Sequence, residues 1–275
     1  MPEFLQSVLE LFDPAKLLLF GMLLARTSGL VMIGPMYGSR DVPMRLRALF
    51  AVALTILILP IQLSVNAPVP NTLLDFLTYA GTEIAVGYVL SLGIWIMFSA
   101  LQIAGQIIGQ SSGMALANVF NPQLGDSIPL AAQFLYLFGL AIWLLAGGHR
   151  IAMEGFLATF SAVPPGSMLD FAIIQETLSA LVSHSLELGI RIAGPVVAAL
   201  LLSTLVMGLI SRTLPQLNII AVGFSLNSMA ALAMISLTLG VVGYVFQDDI
   251  EPVVIDIVQS VSAAVLPATG AAGSA

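Results

Sequence analysis

Six long apolar runs, joined by short breaks, fill most of this chain. Hydrophobic residues make up 59% of it and charged residues 8%, against about 25% charged in a soluble domain. Such runs fold in a bilayer. Each must satisfy its backbone hydrogen bonds internally, so each becomes a helix. The expected fold is an all-α integral membrane protein of about six long, partly broken hydrophobic helices. The run over residues 73–109 is too long for a simple span. As one helix it would measure about 55 Å, against a hydrocarbon core of about 30 Å, so it must tilt, break or protrude. The run over 171–210 is comparable and contains Pro195, which predicts a kink. The others cover 15–33, with one buried-looking charge at Arg26, a second run that starts after Pro43 and ends near Pro60 to Val65, 128–145 with an apolar continuation to 160, and 219–246.

The breaks carry the topology. Residues 34–43 hold two prolines and two glycines. Arg40, Arg45 and Arg47 cluster there and at the start of the next run, which places this connection in the cytoplasm and the N-terminus on the opposite side. Arg212 then lies inside. The acidic group Asp248, Asp249, Glu251 and Asp256 lies outside, and Arg150 is the one base on the unfavoured side. Residues 1–13 are acidic and lack the basic start of a cleaved signal, so the first run is read as retained. Pro164-Pro165-Gly166-Ser167 is the clearest linker. It sets a boundary between residues 1–163 and 164–260, with a flexible tail at 261–275.

Several function classes fall away. A net charge of -7, with 15 acids against 8 bases, argues against nucleic acid. Without cysteine there is no disulfide framework, thiolate metal site or cysteine nucleophile. His149 and His184 are far apart, and a catalytic metal usually needs three protein ligands. No glycine-rich phosphate loop with a lysine occurs, and no serine elbow beside a histidine. No second intramembrane aspartate is placed to share a proton with Asp126. The expectation is a non-enzyme without cofactor or metal.

Residues 109–129 are small, polar and glycine-rich, yet carry only Asp126 as a charge. Irregular backbone at membrane depth is tolerated where protein or a water-filled cavity surrounds it. This stretch is therefore either a loop that lines or closes an opening, or an ordinary connection between two helices. Gly113 and Gly125 can absorb backbone change. Met114, Leu116, Val119 and Phe120 offer apolar groups for a seal. Asn118 and Asn121 suit a turn, and Pro122 stiffens the exit.

Immediately before it, Gln102, Gln106 and Gln110 recur every four residues, beside Gly105, Gly109 and Gly113 on a stripe about 60° away. Small residues at this spacing let helices approach closely. The stripes read either as packing within the chain or as a protein–protein seam beside a polar conduit. Farther on, His184, Glu187 and Arg191 share one helical face, with Glu187 and Arg191 in the favourable order for an ion pair. Charges in membrane helices are functional candidates. Here a self-neutralising face against a partner helix is the competing reading. A small multi-pass transporter with a polar site near Gln106, Glu187 and Arg191 is the alternative function.

Six stretches, in this order and spacing, resemble the FliR family of flagellar export components and its counterpart in virulence type III secretion. They are residues 34–43, residues 113–122 (Gly-Met-Ala-Leu-Ala-Asn-Val-Phe-Asn-Pro), Gln133-Phe134-Leu135-Tyr136, Gly147-Gly148-His149, residues 211–218, and Gly223-Phe224. The resemblance implies one copy of the chain in an export gate with FliP and FliQ, in the inner membrane at the flagellar basal body. It also implies an export-apparatus partner such as FlhB and, as cargo, exported flagellar proteins. Residues 1–163 resemble FliP and 164–260 the FliQ hairpin, so the helices are expected as helical hairpins in a larger helical assembly. The loop after the third run acts in the family as a pore plug. That role maps to Gly109, Gly113, Met114, Ala115, Leu116, Asn118, Val119, Phe120, Asn121, Pro122 and Gly125. Subunit packing maps to Gln102, Gly105, Gln106, Gln110, Glu187, Arg191, Arg212, Pro215, Gln216 and Asn218. The chain departs from the family at Asn121, where Asp is frequent, and at Ser225 and Asn227, where Pro and Lys are frequent.

Overall fold

Asp13 starts the first helix. Its carboxylate accepts the Ala15 N–H at 3.2 Å, and Pro14 occupies a first-turn position where a missing N–H costs nothing. The computed structural model describes residues 13–35, 38, 42–63, 68, 70, 72–113, 129–213 and 219–266. Their helices are α1 Pro14–Ile33, α2 Met44–Gln62, α3 Leu73–Ser111, α4 Leu130–Leu145, α5 Gly148–Ala162, α6 Phe171–Thr213, α7 Ile219–Asp248 and α8 Ile250–Ala263. Among the described residues there is no strand beyond an isolated bridge, Leu169 to Val265. Among the described residues, by length and composition, five stretches can cross a membrane, α7 and α8 counting as one, or six if α4 and α5 form one broken span. The chain is an all-α membrane protein.

The two overlong runs are continuous helices of 39 and 43 residues, and α6 continues through Pro195. At 1.5 Å per residue they rise about 58 and 64 Å. The acidic stretch after residue 248 is itself helical: in α8, Val253, Val254, Ile257 and Val261 are buried while Glu251 and Asp256 are exposed. Order also runs past residue 260. The Asp170 N–H donates to the Ala264 carbonyl at 2.7 Å, and the Leu266 N–H donates to the Met168 carbonyl at 3.0 Å. Of the tail expected over 261–275, residues 267–275 lie outside the described residues.

Packing divides the chain into two compact units that interleave along the sequence. The first comprises Met1–Trp95, His149–Ala180 and Glu251–Ala275. Its centre is the crossing of α1 and α3. Gly29 lies against the backbone of Ile84 and Tyr88, and Gly87 against that of Arg26 and Leu30, so a Cβ at either position would overlap backbone. Helix α2 packs on α1 with Ala51, Thr55, Ile58 and Gln62 buried, and the Thr55 and Thr27 hydroxyls bond at 2.7 Å.

The second unit comprises Ile96–Gly148 and Leu181–Ile250. Phe98 anchors it, meeting Tyr136, Trp143 and Phe246 edge-on with centroids 5.8, 5.6 and 5.2 Å away. Helix α4 folds onto α3 where Gly105 abuts the Ala131–Ala132 backbone and Gly109 abuts Pro129. Helix α6 joins α3 through Ser185, whose hydroxyl donates to the Ile96 carbonyl at 2.9 Å and bonds the Ser99 hydroxyl at 2.9 Å.

Candidate functional site

Among the described residues, apart from an exposed Arg150–Glu154 pair on α5 at 3.6 Å, the polar chemistry gathers in three places. The first is buried in the first unit. Arg26 Nε donates to Glu83 Oε2 at 2.6 Å, with the two side chains 0% and 2% exposed. Arg26 Nη1 donates to the Thr159 carbonyl at 3.0 Å, and Nη2 donates to the Val163 carbonyl at 2.9 Å. The guanidinium also stands 4.4 Å over the Phe160 ring. Glu83 Oε1 accepts the Gly166 N–H at 2.8 Å. Gly166 has φ +84, a region that side chains rarely enter. A buried ion pair offsets its desolvation only when its remaining groups are also bonded, as here.

The pair ties α1, α3, α5 and the 164–167 turn together. The linker read from the sequence is thus pinned at Val163 and at Gly166. The Ser91 hydroxyl adds a bond to the Leu30 carbonyl, so Glu83, Gly87 and Ser91 present one face of α3 to α1 at four-residue spacing. Sequence reasoning found Arg26 and missed these three. Their spacing, and the opposite sign of Glu83, were the available signals.

The second place is the end of α3. Gly105 and Gly109 are buried on α4 of the same chain, Gln102 is half-buried, and Gln106 and Gln110 are exposed. Gly113 closes the helix with φ +80, its N–H donating to the Gln110 carbonyl at 3.2 Å. Of the other residues assigned to a plug, Met114, Ala115, Leu116, Asn118, Val119, Phe120, Asn121, Pro122 and Gly125 lie outside the described residues. Pro215, Gln216 and Asn218 do as well, while Arg212 is exposed in the last turn of α6.

The third is the α6/α7 hairpin. Arg191 Nη2 donates to Glu187 Oε1 at 2.9 Å, and the side chains are 69% and 67% exposed. His184 does not join them but contacts Asp249 at 3.2 Å. A cavity of about 180 Å³ opens beside the pair, walled by Arg191, Ile192 and Pro195 of α6 and by Thr238, Val241 and Val242 of α7. Gln106, the third member of the alternative transporter site, is not on its wall. Apart from Arg191 and Thr238 the wall is apolar, which suits shape recognition rather than acid–base chemistry. Nearer the hairpin turn, Ser203 donates to Asn227 Oδ1 at 2.8 Å, and Asn227 Nδ2 donates to Thr204 Oγ1 at 3.4 Å. Asn227, where the family often has lysine, is thus bonded within its own hairpin.

The chain matches the family described as bacterial export proteins, family 1, over residues 17–253. It is 30% identical over 245 residues to the flagellar biosynthetic protein FliR of Bacillus subtilis, covering 86% of this chain and 90% of that one. It is 31% identical over 205 residues to FliR of Aquifex aeolicus, covering 74% and 79%. It is also 31% identical over 155 residues to the surface presentation of antigens protein SpaR of Shigella flexneri, covering 56% and 59%. This chain belongs to the bacterial export proteins, family 1, the FliR family of the flagellar and type III export apparatus.

Proposed function

We propose that this chain is a non-enzymatic subunit of the flagellar protein-export gate. In this reading one copy assembles with FliP-like and FliQ-like subunits in the bacterial inner membrane, beside an FlhB-like partner. Together they form the channel that passes unfolded export substrates. Residues 1–163 take the FliP-like place and residues 164–260 the FliQ-like place. The Glu187–Arg191 pair carries the reading. It stands exposed near the middle of an apolar helix of 43 residues. Hydrocarbon is a poor surrounding for two charges, so water or another chain must cover that face. Exposed Gln106 and Gln110 make the same demand at the end of α3.

Residues 109–125 are assigned the plug. Their apolar groups and near absence of charge suit a seal that must open for each exported chain. The experiment is to delete residues 115–119 and follow both assembly and leakage of ions and small solutes through the cells. The expected result is an assembled but leaky complex. An assembled deletion complex as tight as the unaltered one removes the plug assignment and returns the loop to an ordinary connection.

A further inference from the structure

We infer that the outward face of α2 is a surface through which this chain meets bilayer lipid, with Arg45 set at the level of the phosphate headgroups. Helix α2 has 19 residues and so rises about 28 Å, close to the hydrocarbon thickness of about 30 Å. Its inner face is committed: Ala51, Thr55, Ile58 and Gln62 are buried. On the opposite face Leu46, Leu49, Ile56 and Leu57 are exposed by 56%, 66%, 58% and 69%. Ala53 and Pro60 are exposed among them. Thr55 is the one polar side chain from residue 48 to residue 60, and it points inward to Thr27. Pro60, which cannot donate to the Ile56 carbonyl, falls in the last turn, near the opposite membrane surface.

This face differs from two other open surfaces of the chain, and shares its bulky apolar character with α7, which exposes Met229, Leu232 and Leu237. Helix α6 exposes an ion pair, and α3 exposes Gln106 and Gln110. Seams between membrane helices are enriched in small and polar residues, because lipid tails match leucine as a solvent and give no other reason to associate. The α2 face is instead branched and bulky along its length. Arg45 stands exposed in its first turn, where a long stem can carry a guanidinium up to an anionic headgroup.

The chain has no cysteine, so single cysteines at Leu46, Leu49, Ala53 or Ile56 can be labelled with bimane without a background. The full-length protein is taken with whatever partners it retains from its native membrane and placed in phosphatidylethanolamine vesicles. Brominated acyl chains should quench the labels at Leu49, Ala53 and Ile56, and aqueous iodide should not. At Leu46, brominated phosphatidylglycerol should quench more strongly than brominated phosphatidylcholine, and Arg45→Gln should make the two equal. Labels untouched by brominated chains in the assembled protein, or quenched by iodide, overturn the lipid face. Equal quenching by the two lipids with Arg45 in place overturns the headgroup contact.

Discussion

Arg26 shows how much one charge demands in an apolar fold. Its donors reach a carboxylate on α3 and two backbone carbonyls at the end of α5, and its face reaches a ring of α5. Arg26→Met should leave the Glu83 charge buried without its partner, and Glu83→Gln should do the same to the guanidinium. Breaking such a pair costs roughly 3–5 kcal/mol. Glutamine retains an acceptor for the Gly166 N–H, so Arg26→Met with Glu83→Gln should cost less than the sum of the single changes. Thermal unfolding of the detergent-purified protein measures all three, and strictly additive losses would show that the pair is not coupled. In the sequence Arg26 stood out as a lone charge in an apolar run. Its partner did not, because no spacing rule links residues 57 apart. Asn227 was visible only as a departure from a pattern, and its bonds to Ser203 and Thr204 depend on how α6 and α7 meet.

Among the elements, glycine marks which faces are already occupied. Gly29, Gly87 and Gly105 each lie against another helix's backbone, whereas Gly194 and Gly240 have open space around them. Gly87→Ala and Gly105→Leu should therefore sharply reduce the amount of folded chain in the membrane, while Gly194→Ala and Gly240→Ala should leave it unchanged. Quantitative immunoblotting after mild detergent extraction reads the difference, and equal levels across the four variants would contradict this packing. The exposed pair on α6 behaves oppositely. Exposed ion pairs contribute little to stability, so Glu187→Gln with Arg191→Gln should spare the fold and instead lower recovery of partner subunits.

Most helices were legible as apolar runs because helix is the main way a chain satisfies its backbone in lipid. Helix α8 was hidden by its acids. Its buried Val253, Val254, Ile257 and Val261 keep helical spacing, but Asp248, Asp249, Glu251 and Asp256 among them read as an acidic group outside the membrane.

For the whole molecule, composition was enough to place the chain in a membrane, and the order of six weak motifs was enough to indicate its family. The match over residues 17–253 bears out that resemblance. The interleaving of the two packed units was not legible, since helices as long as α3 and α6 contribute residues to both. The proposed division near residue 163 concerns likeness to partner subunits, a separate matter from packing. The role of residues 114–128 stays with the proposal, as they lie outside the described residues.

The central claim is that this chain works as one part of a larger gate. The composition of the particle it forms tests that most directly. The tagged full-length chain is extracted from its native membrane in mild detergent, and the intact particle is weighed by native mass spectrometry. The account predicts one copy of this chain bound to several FliP-like and FliQ-like subunits. A monodisperse, heat-stable particle containing this chain alone would contradict it.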